Sequence, residues 1–370
     1  MPITELNLKN FRNYDSQILH FSPHINIFYG QNAQGKTNIL EAIALLCIGR
    51  SFRTRKDDEL IRWEHDSCFL KGLFQQEITQ SQIEIGIGHH EKRIKIDGQV
   101  CKNQELFGRI PVVIFAPDDL QIVKGGPQHR RDFLDFYLAQ TEPHYRFIYY
   151  NYQRVLQQRN RLLKSQPAPV ELTVWDEQLI EKGLKVIKYR LAMILDVLPY
   201  AQKAQIDISG NVEDLKMSYS SFNNLLLTEW DETRMRQEFQ NELHRVQRQE
   251  IERQITLVGP HRDDIRLSFD DRIDLRSFGS QGQQRTAVLA LKLGLIEKIK
   301  ATRGEYPILL FDDVMSEFDD LRKKNLLACL LSSAQTVLTS TNRGDFPITD
   351  HETLRFEVSK GVATNVGECI

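Results

Sequence analysis

A nine-residue stretch, GQNAQGKTN at positions 30–38, constrains this chain more than any other feature. It matches G-x-x-x-x-G-K-[ST] at Gly30, Gly35, Lys36 and Thr37, and its flanks are as informative as the match. The apolar run INIFY precedes it and the apolar run NILEAIALLCIG follows, which predicts a buried strand, a tight loop and a helix in that order. Such a loop is suited to holding phosphate. Its glycines let the backbone N–H groups of Gly30, Gln31, Asn32, Ala33, Gln34 and Gly35 curl around phosphate oxygens, and the helix N-terminus adds its positive dipole end. Lys36 then reaches the outer phosphates, Thr37 can ligate Mg2+, and Asn38 lies in the first helical turn. A chance glycine-rich turn would not have strand and helix both in register.

Magnesium needs a carboxylate partner on a second buried strand. YPILLFDD supplies one: four apolar residues follow Pro307 and lead into Asp312 and Asp313. A carboxylate at the end of a buried strand is costly unless paired or metal-bound, so Asp312 is the expected Mg2+-side carboxylate. Asp313 is then expected to face the γ-phosphate and orient the attacking water. The expected catalytic set is Lys36, Asp312 and Asp313, with ATP and Mg2+ as cofactors.

The first hundred residues alternate like strands, in ITELNLKNF, QILHF, INIFYG, IEIGIGH and KRIKIDGQ. From about Leu120 the periodicity becomes helical, through RRDFLDFYLAQ, HYRFIYYNYQRVLQQRNRLLK, VWDEQLIEKGLKVIKYRLAMILDVLPY and ETRMRQEFQNELHRVQRQEIERQI. Strand character returns in ITLVGPHRDDIRLSF, YPILLFDD and AQTVLTSTN, around a helix from about Gln283. The pattern predicts an α/β domain built from both ends of the chain, 1–118 and 255–370, interrupted by a mostly helical lobe at 119–254. Hydrophobic residues make up 41% and charged ones 26%, enough for a substantial core. A net charge of −2 means that any nucleic-acid surface must be local. Five scattered cysteines without a CxxC pair argue against a zinc site or disulfide framework. No apolar run reaches the roughly 18 residues of a membrane span, so a cytoplasmic protein without a membrane partner is expected.

RSFGSQGQQR, residues 276–285, has no acid–base pair or nucleophile, yet a Ser-x-Gly-Gln run at a helix N-terminus is a second phosphate-binding device. One nucleotide needs one cradle. If residues 30–38 hold the triphosphate, the second cradle serves another molecule's nucleotide, which implies a head-to-tail homodimer with ATP sandwiched between chains. Ser280 would offer its hydroxyl and Gly282 its N–H to the partner's γ-phosphate, with Gln283 beside them. A simple helix cap would explain Ser280 but not the Gly and Gln residues around it.

These motifs resemble the ABC-type ATPases, and within them the SMC-like branch. At a finer level the chain is similar to the RecF family of bacterial DNA repair proteins along nearly its whole length. The matching stretches are LKNFRNY, GQNAQGKTN, GRSFRT, FAPDDLQIVKGGPQHRRDFLD, GPHRDD, SQGQQR and LLFDDVMSEFD. The resemblance implies an α/β, ABC-type P-loop ATPase head with an inserted, mostly α-helical lobe. It places Arg12 and Asn13 near the nucleotide, and Ser316, Glu317 and Asp319 in a loop crossing the dimer interface. It also implies a slow, DNA-stimulated ATPase acting on duplex DNA and at single-strand gaps and junctions. RecR and RecO are its implied partners in helping RecA displace single-strand-binding protein.

Some features depart from the wider ABC pattern. The water-orienting position holds Asp313 in place of the usual Glu, the switch His is replaced by Ser340 and Thr341 in VLTSTN, and Asp118 stands where a glutamine loop is expected. No long heptad stretch occurs, so the insertion is a compact lobe and not a coiled-coil arm.

Two basic clusters are candidate DNA contacts. Between residues 143 and 170 there are Arg146, Arg154, Arg159, Arg161 and Lys164 and no acid before Glu171, with Arg154 and Arg161 seven apart and near one helical face. Lys182, Lys185 and Lys188 recur on the next helix, and GRSFRTRK adds Arg50, Arg53, Arg55 and Lys56 close to the phosphate loop. The interleaved Tyr145, Phe147, Tyr149, Tyr150 and Tyr152 read as core. The rival reading is a metabolic or transport motor ATPase, which would carry a switch His and a membrane-coupling surface. An SMC-like nuclease would need a separate cluster of metal ligands.

Overall fold

The computed structural model describes residues 1–76, 79–210, 213–222, 225–227, 229–270, 273–313, 334–345 and 353–367. They form two compact units, Met1–Asp118 with Ile299–Ile370, and Asp119–Lys298.

The first unit holds two six-stranded sheets. One runs in the order Val362–Asn365, Thr353–Ser359, Ile25–Tyr29, Thr336–Ser340, Ile308–Phe311 and Val112–Phe115, and every pairing except the final hairpin is parallel. Parallel strands covered on both faces need continuous apolar sequence, which is why INIFY, ILLF and VVIF carry no alternation. All five residues of Ile25–Tyr29 are buried. Ring stacking ties neighbouring strands, Phe28 on Phe356 at 4.5 Å and Phe115 on Phe311 at 4.0 Å. The helix Lys36–Ile48 is buried along almost its whole length, so its N-terminus is anchored rigidly at the end of Ile25–Tyr29.

The other sheet is antiparallel, in the order Tyr14–His20, Ile3–Phe11, Ser67–Gln75, Gln80–Gly88, Glu91–Ile96 and Gln99–Cys101. Ser67–Gln75 escaped the sequence reading because Gly72 takes one of its inward positions and interrupts the apolar alternation. A Cβ there would lie 2.8 Å from the Phe74 ring and 2.9 Å from Leu46, so packing demands glycine.

The second unit contains the helices Pro127–Thr141, Tyr145–Leu163, Pro169–Ser209 and Glu232–Arg253. It also contains a four-stranded antiparallel sheet, Leu225–Leu227, Leu215–Ser221, Asp264–Phe269 and Ile273–Asp274, that periodicity did not reveal. Within ITLVGPHRDDIRLSF only Asp264–Phe269 is a strand. The sequence sets the second domain boundary at 255, whereas packing groups 255–298 with the lobe. Pairing of Asp264–Phe269 with Leu215–Ser221 is one cause. Another is Gly294 in the helix Gln281–Arg303, where a Cβ would lie 2.8 Å from the backbone nitrogen of Ala201. Among the described residues no helix is long and apolar enough to cross a membrane.

Candidate nucleotide-binding site

The loop after Ile25–Tyr29 owes its shape to glycine. Gly30 has φ 151° and a Cβ there would lie 2.3 Å from the Val358 carbonyl oxygen; Gly35 has φ 117° and would bring a Cβ within 2.7 Å of the Asn13 side chain. Ala33 is held in the left-handed region at φ 64°. Lys36 is buried and its Nζ donates to the carbonyls of Gly30 and Gln31, the latter at 2.9 Å. Burial lowers its pKa, while Asp313 and then Asp312 act in the opposite sense.

Thr37 and Asp312 meet although 275 residues separate them: Thr37 Oγ1 donates to Asp312 Oδ1 at 2.7 Å. The sheet order explains the meeting, because Thr336–Ser340 lies between their strands. Thr339 on that middle strand completes the arrangement. Its hydroxyl lies 3.1 Å from Asp312 Oδ1 and accepts the Asp313 N–H at 2.9 Å. Asp313 itself has φ 51°, a strained backbone of the kind that persists where surrounding structure over-determines it. A hydroxyl and a largely buried carboxylate fit one side of a magnesium shell whose other ligands are water and phosphate oxygens. No local signal in VLTSTN distinguishes Thr339 from its neighbours Ser340 and Thr341.

The loop is braced from both ends of the chain. Asn13 Nδ2 donates to the Gln34 carbonyl at 2.8 Å, Asn38 Nδ2 donates to Asn13 Oδ1 at 2.8 Å, and the Tyr14 hydroxyl donates to the Gly35 carbonyl at 3.1 Å. From the final hairpin, the N–H groups of Lys360 and Gly361 donate to Gln34 Oε1 and O at 2.7 and 3.1 Å. Arg12 and Arg53 converge on Glu41, a residue the sequence reading passed over as part of an apolar helix. Its signal was the single acid in NILEAIALLCIG. Arg53 is therefore engaged beside the phosphate loop, while Arg50 and Arg55 are exposed, the former 6.0 Å from the Phe107 ring centroid.

In the second unit, Ser280 caps the helix Gln281–Arg303. Its Oγ accepts the Gln283 N–H at 3.2 Å, and Gln283 Oε1 accepts the Ser280 N–H at 2.8 Å. This reciprocal capping explains Gln283 as well as Ser280, more than a simple cap was expected to explain. Ser280 is exposed, and accepting a bond leaves its hydroxyl hydrogen available to a ligand. Gly282 lies in the first turn of the same helix, with its carbonyl accepting from Thr286 Oγ1 at 2.8 Å. The basic run divides sharply: Arg154 and Arg161 are exposed, whereas Arg159 is fully buried. The aromatic run divides too, since Tyr145 and Tyr152 are core but Phe147 and Tyr150 are 68% and 57% exposed. The Arg154 guanidinium lies 5.9 Å from the Tyr150 ring centroid. Ser316, Glu317 and Asp319 fall outside the described residues.

Comparison with known proteins gives a consistent picture. The model of the RecF/RecN/SMC N-terminal domain matches residues 2–362. The DNA replication and repair protein RecF of Natranaerobius thermophilus is 42% identical over 363 residues, 94% of this chain and 92% of that protein. The same-named protein of Bacillus cytotoxicus is 39% identical over 100% of this chain and 99% of its own length. A solved structure of the recombination mediator protein RecF–ATP in the RecFOR pathway superposes with a TM-score of 0.88 at 35% identity, covering 99% of this chain and 97% of that one. An Smc head bound to the C-terminal winged-helix domain of ScpA shares the fold at TM-score 0.60 and 13% identity, covering 99% and 97%.

Proposed function

The chain belongs to the RecF family of DNA replication and repair proteins, with an SMC-like ABC ATPase head, and we propose that it is an ATP-gated, DNA-binding clamp of recombinational repair. In this reading Lys36 and the loop 30–38 hold the triphosphate, Thr37 and Asp312 hold Mg2+, and Asp313 orients the water for slow hydrolysis. Ser280, Gly282 and Gln283 read the γ-phosphate bound by a second copy of the chain, so ATP joins two molecules head to tail. The closed dimer sits on duplex DNA at single-strand gaps and junctions, where RecR and RecO join it in promoting RecA loading. Hydrolysis resets the dimer. The observation that carries this reading is the 2.7 Å meeting of Thr37 with Asp312, which pairs the phosphate-loop hydroxyl with the acidic strand end.

Ser280→Arg tests it. Each monomer should still bind ATP, but the large side chain fills the space the partner's triphosphate must enter. Dimerisation, hydrolysis and ATP-dependent DNA retention are expected to fail together, read by light scattering and turnover. If this variant dimerises normally with ATP, the loop is a helix cap and the trans reading is wrong.

A further inference from the structure

We propose that Glu41 is a positioning residue of the nucleotide site, holding Arg12 and Arg53 as a pair of cations beside the first turn of the phosphate-loop helix. The inference rests on the reading of residues 30–38 as that loop. Glu41 lies one turn beyond Thr37 and is completely buried. A buried carboxylate is costly unless charged donors surround it, and here the donors exceed that need. Arg12 engages it through Nε at 2.9 Å and Nη2 at 2.7 Å, Arg53 through Nη1 at 3.2 Å, and Ser51 through its hydroxyl. Two guanidiniums on one carboxylate leave a net positive cluster.

The position of that surplus charge points to an anion. Arg53 Nη1 also donates to Asn38 Oδ1 at 2.8 Å, so hydrogen bonds run unbroken from Glu41 through Arg53, Asn38 and Asn13 to the Gln34 carbonyl of the loop. Arg53 is 43% exposed, and its Nε and Nη2 make no hydrogen bond among the described residues. Arg12 is pinned further by donation from Nη1 to the Glu59 carbonyl at 2.7 Å, and its own backbone sits at φ 52°. Were Glu41 only a core residue, an apolar side chain like its helix neighbours would serve and neither arginine would need this orientation. Glu41 touches no ligand. It sets the direction in which the two arginines present their remaining N–H groups to the triphosphate.

The test is a double-mutant cycle on the full chain, reading the affinity of a fluorescent ATP analogue. Glu41→Gln keeps the shape but not the charge, and is expected to weaken binding about tenfold, as for loss of a hydrogen bond to a charged group. Arg53→Gln should weaken it similarly. Because Glu41 acts through Arg53 and Arg12, adding Glu41→Gln to Arg53→Gln should cost clearly less than it does alone. A purely structural role would instead give independent, multiplying losses, and that result, or parent affinity in Glu41→Gln, overturns the proposal. Should Glu41→Gln not fold, Ser51→Ala removes one of its bonds, together with the bonds Ser51 accepts from the Arg53 and Thr54 N–H groups, without burying a bare charge. That variant is expected to weaken binding about threefold, and parent affinity there counts against the proposal. Lys36→Ala run alongside separates the two levels: if it too binds ATP normally, the loop assignment beneath the inference has failed.

Discussion

The buried-charge networks of the two units look alike in composition and differ in what they leave over. In the second unit Arg159 spends its Nε, Nη1 and Nη2 on Asp176, Thr256 and Glu250 at 2.8, 2.9 and 2.6 Å, and Arg190 engages Asp135, Tyr219 and the Pro260 carbonyl. Both arginines are fully buried. In the first unit the Glu41 cluster leaves two nitrogens of a partly exposed Arg53 without a hydrogen bond among the described residues. A network that consumes its donors internally holds a fold. A network that retains donors at the surface is what the positioning role proposed for Glu41 requires. Counting basic residues does not separate the two, because Arg154, Arg159 and Arg161 lie on one helix and only Arg159 is enclosed.

The contrast can be broken by experiment. Arg159→Ala leaves Glu250 and Asp176 without their cation, and should cost about 3–5 kcal/mol of stability in denaturant unfolding. The fraction that remains folded should bind ATP as the parent does; a selective loss of ATP affinity would erase the distinction. Lys36→Ala should do the converse, weakening ATP on the order of a hundredfold by calorimetry with little change in melting temperature. Reversing Arg154 and Arg161 to Glu should flatten the slope of log affinity against log salt by about 2 for duplex DNA. An unchanged slope would return both residues to an ordinary solvated face.

The smallest effect concerns His261, whose Nδ1 meets the Tyr152 hydroxyl at 2.6 Å inside the lobe. Burial pulls its pKa from 6.5 to about 4. Its contribution to stability is therefore present above 6.5 and lost as the pH falls through 4. Asp263, pushed up by burial from 3.8 to about 6, works in the opposite sense: its contribution is present below 3.8 and lost as the pH rises through 6. His261→Gln leaves Asp263 unopposed. The melting temperature of the variant relative to the parent should then rise by a few degrees as the pH drops from neutral toward 4. A difference that stays flat with pH would mean that His261 does not titrate in this window.

The glycine turn at 30–35, the helix it opens and the acidic strand end were legible in the sequence because each depends on local chemistry. Gly30 and Gly35 are required by backbone conformation and close approach, and ILLFDD announces a buried strand ending in carboxylates. The reciprocal cap of Ser280 and Gln283 was local too, since Ser-x-x-Gln is a capping pattern. Tertiary structure alone decided the rest. Thr339 reaches Asp312 because the strand order inserts Thr336–Ser340 beside Ile308–Phe311, and sheet order joins segments that share no local signal. Glu41 acquires its meaning only when Arg12 arrives from one hairpin and Arg53 from a loop. Arg159 is separated from Arg154 and Arg161 by which face of its helix the lobe covers. Sequence determines what a side chain can donate or accept; packing determines which of those groups are already taken.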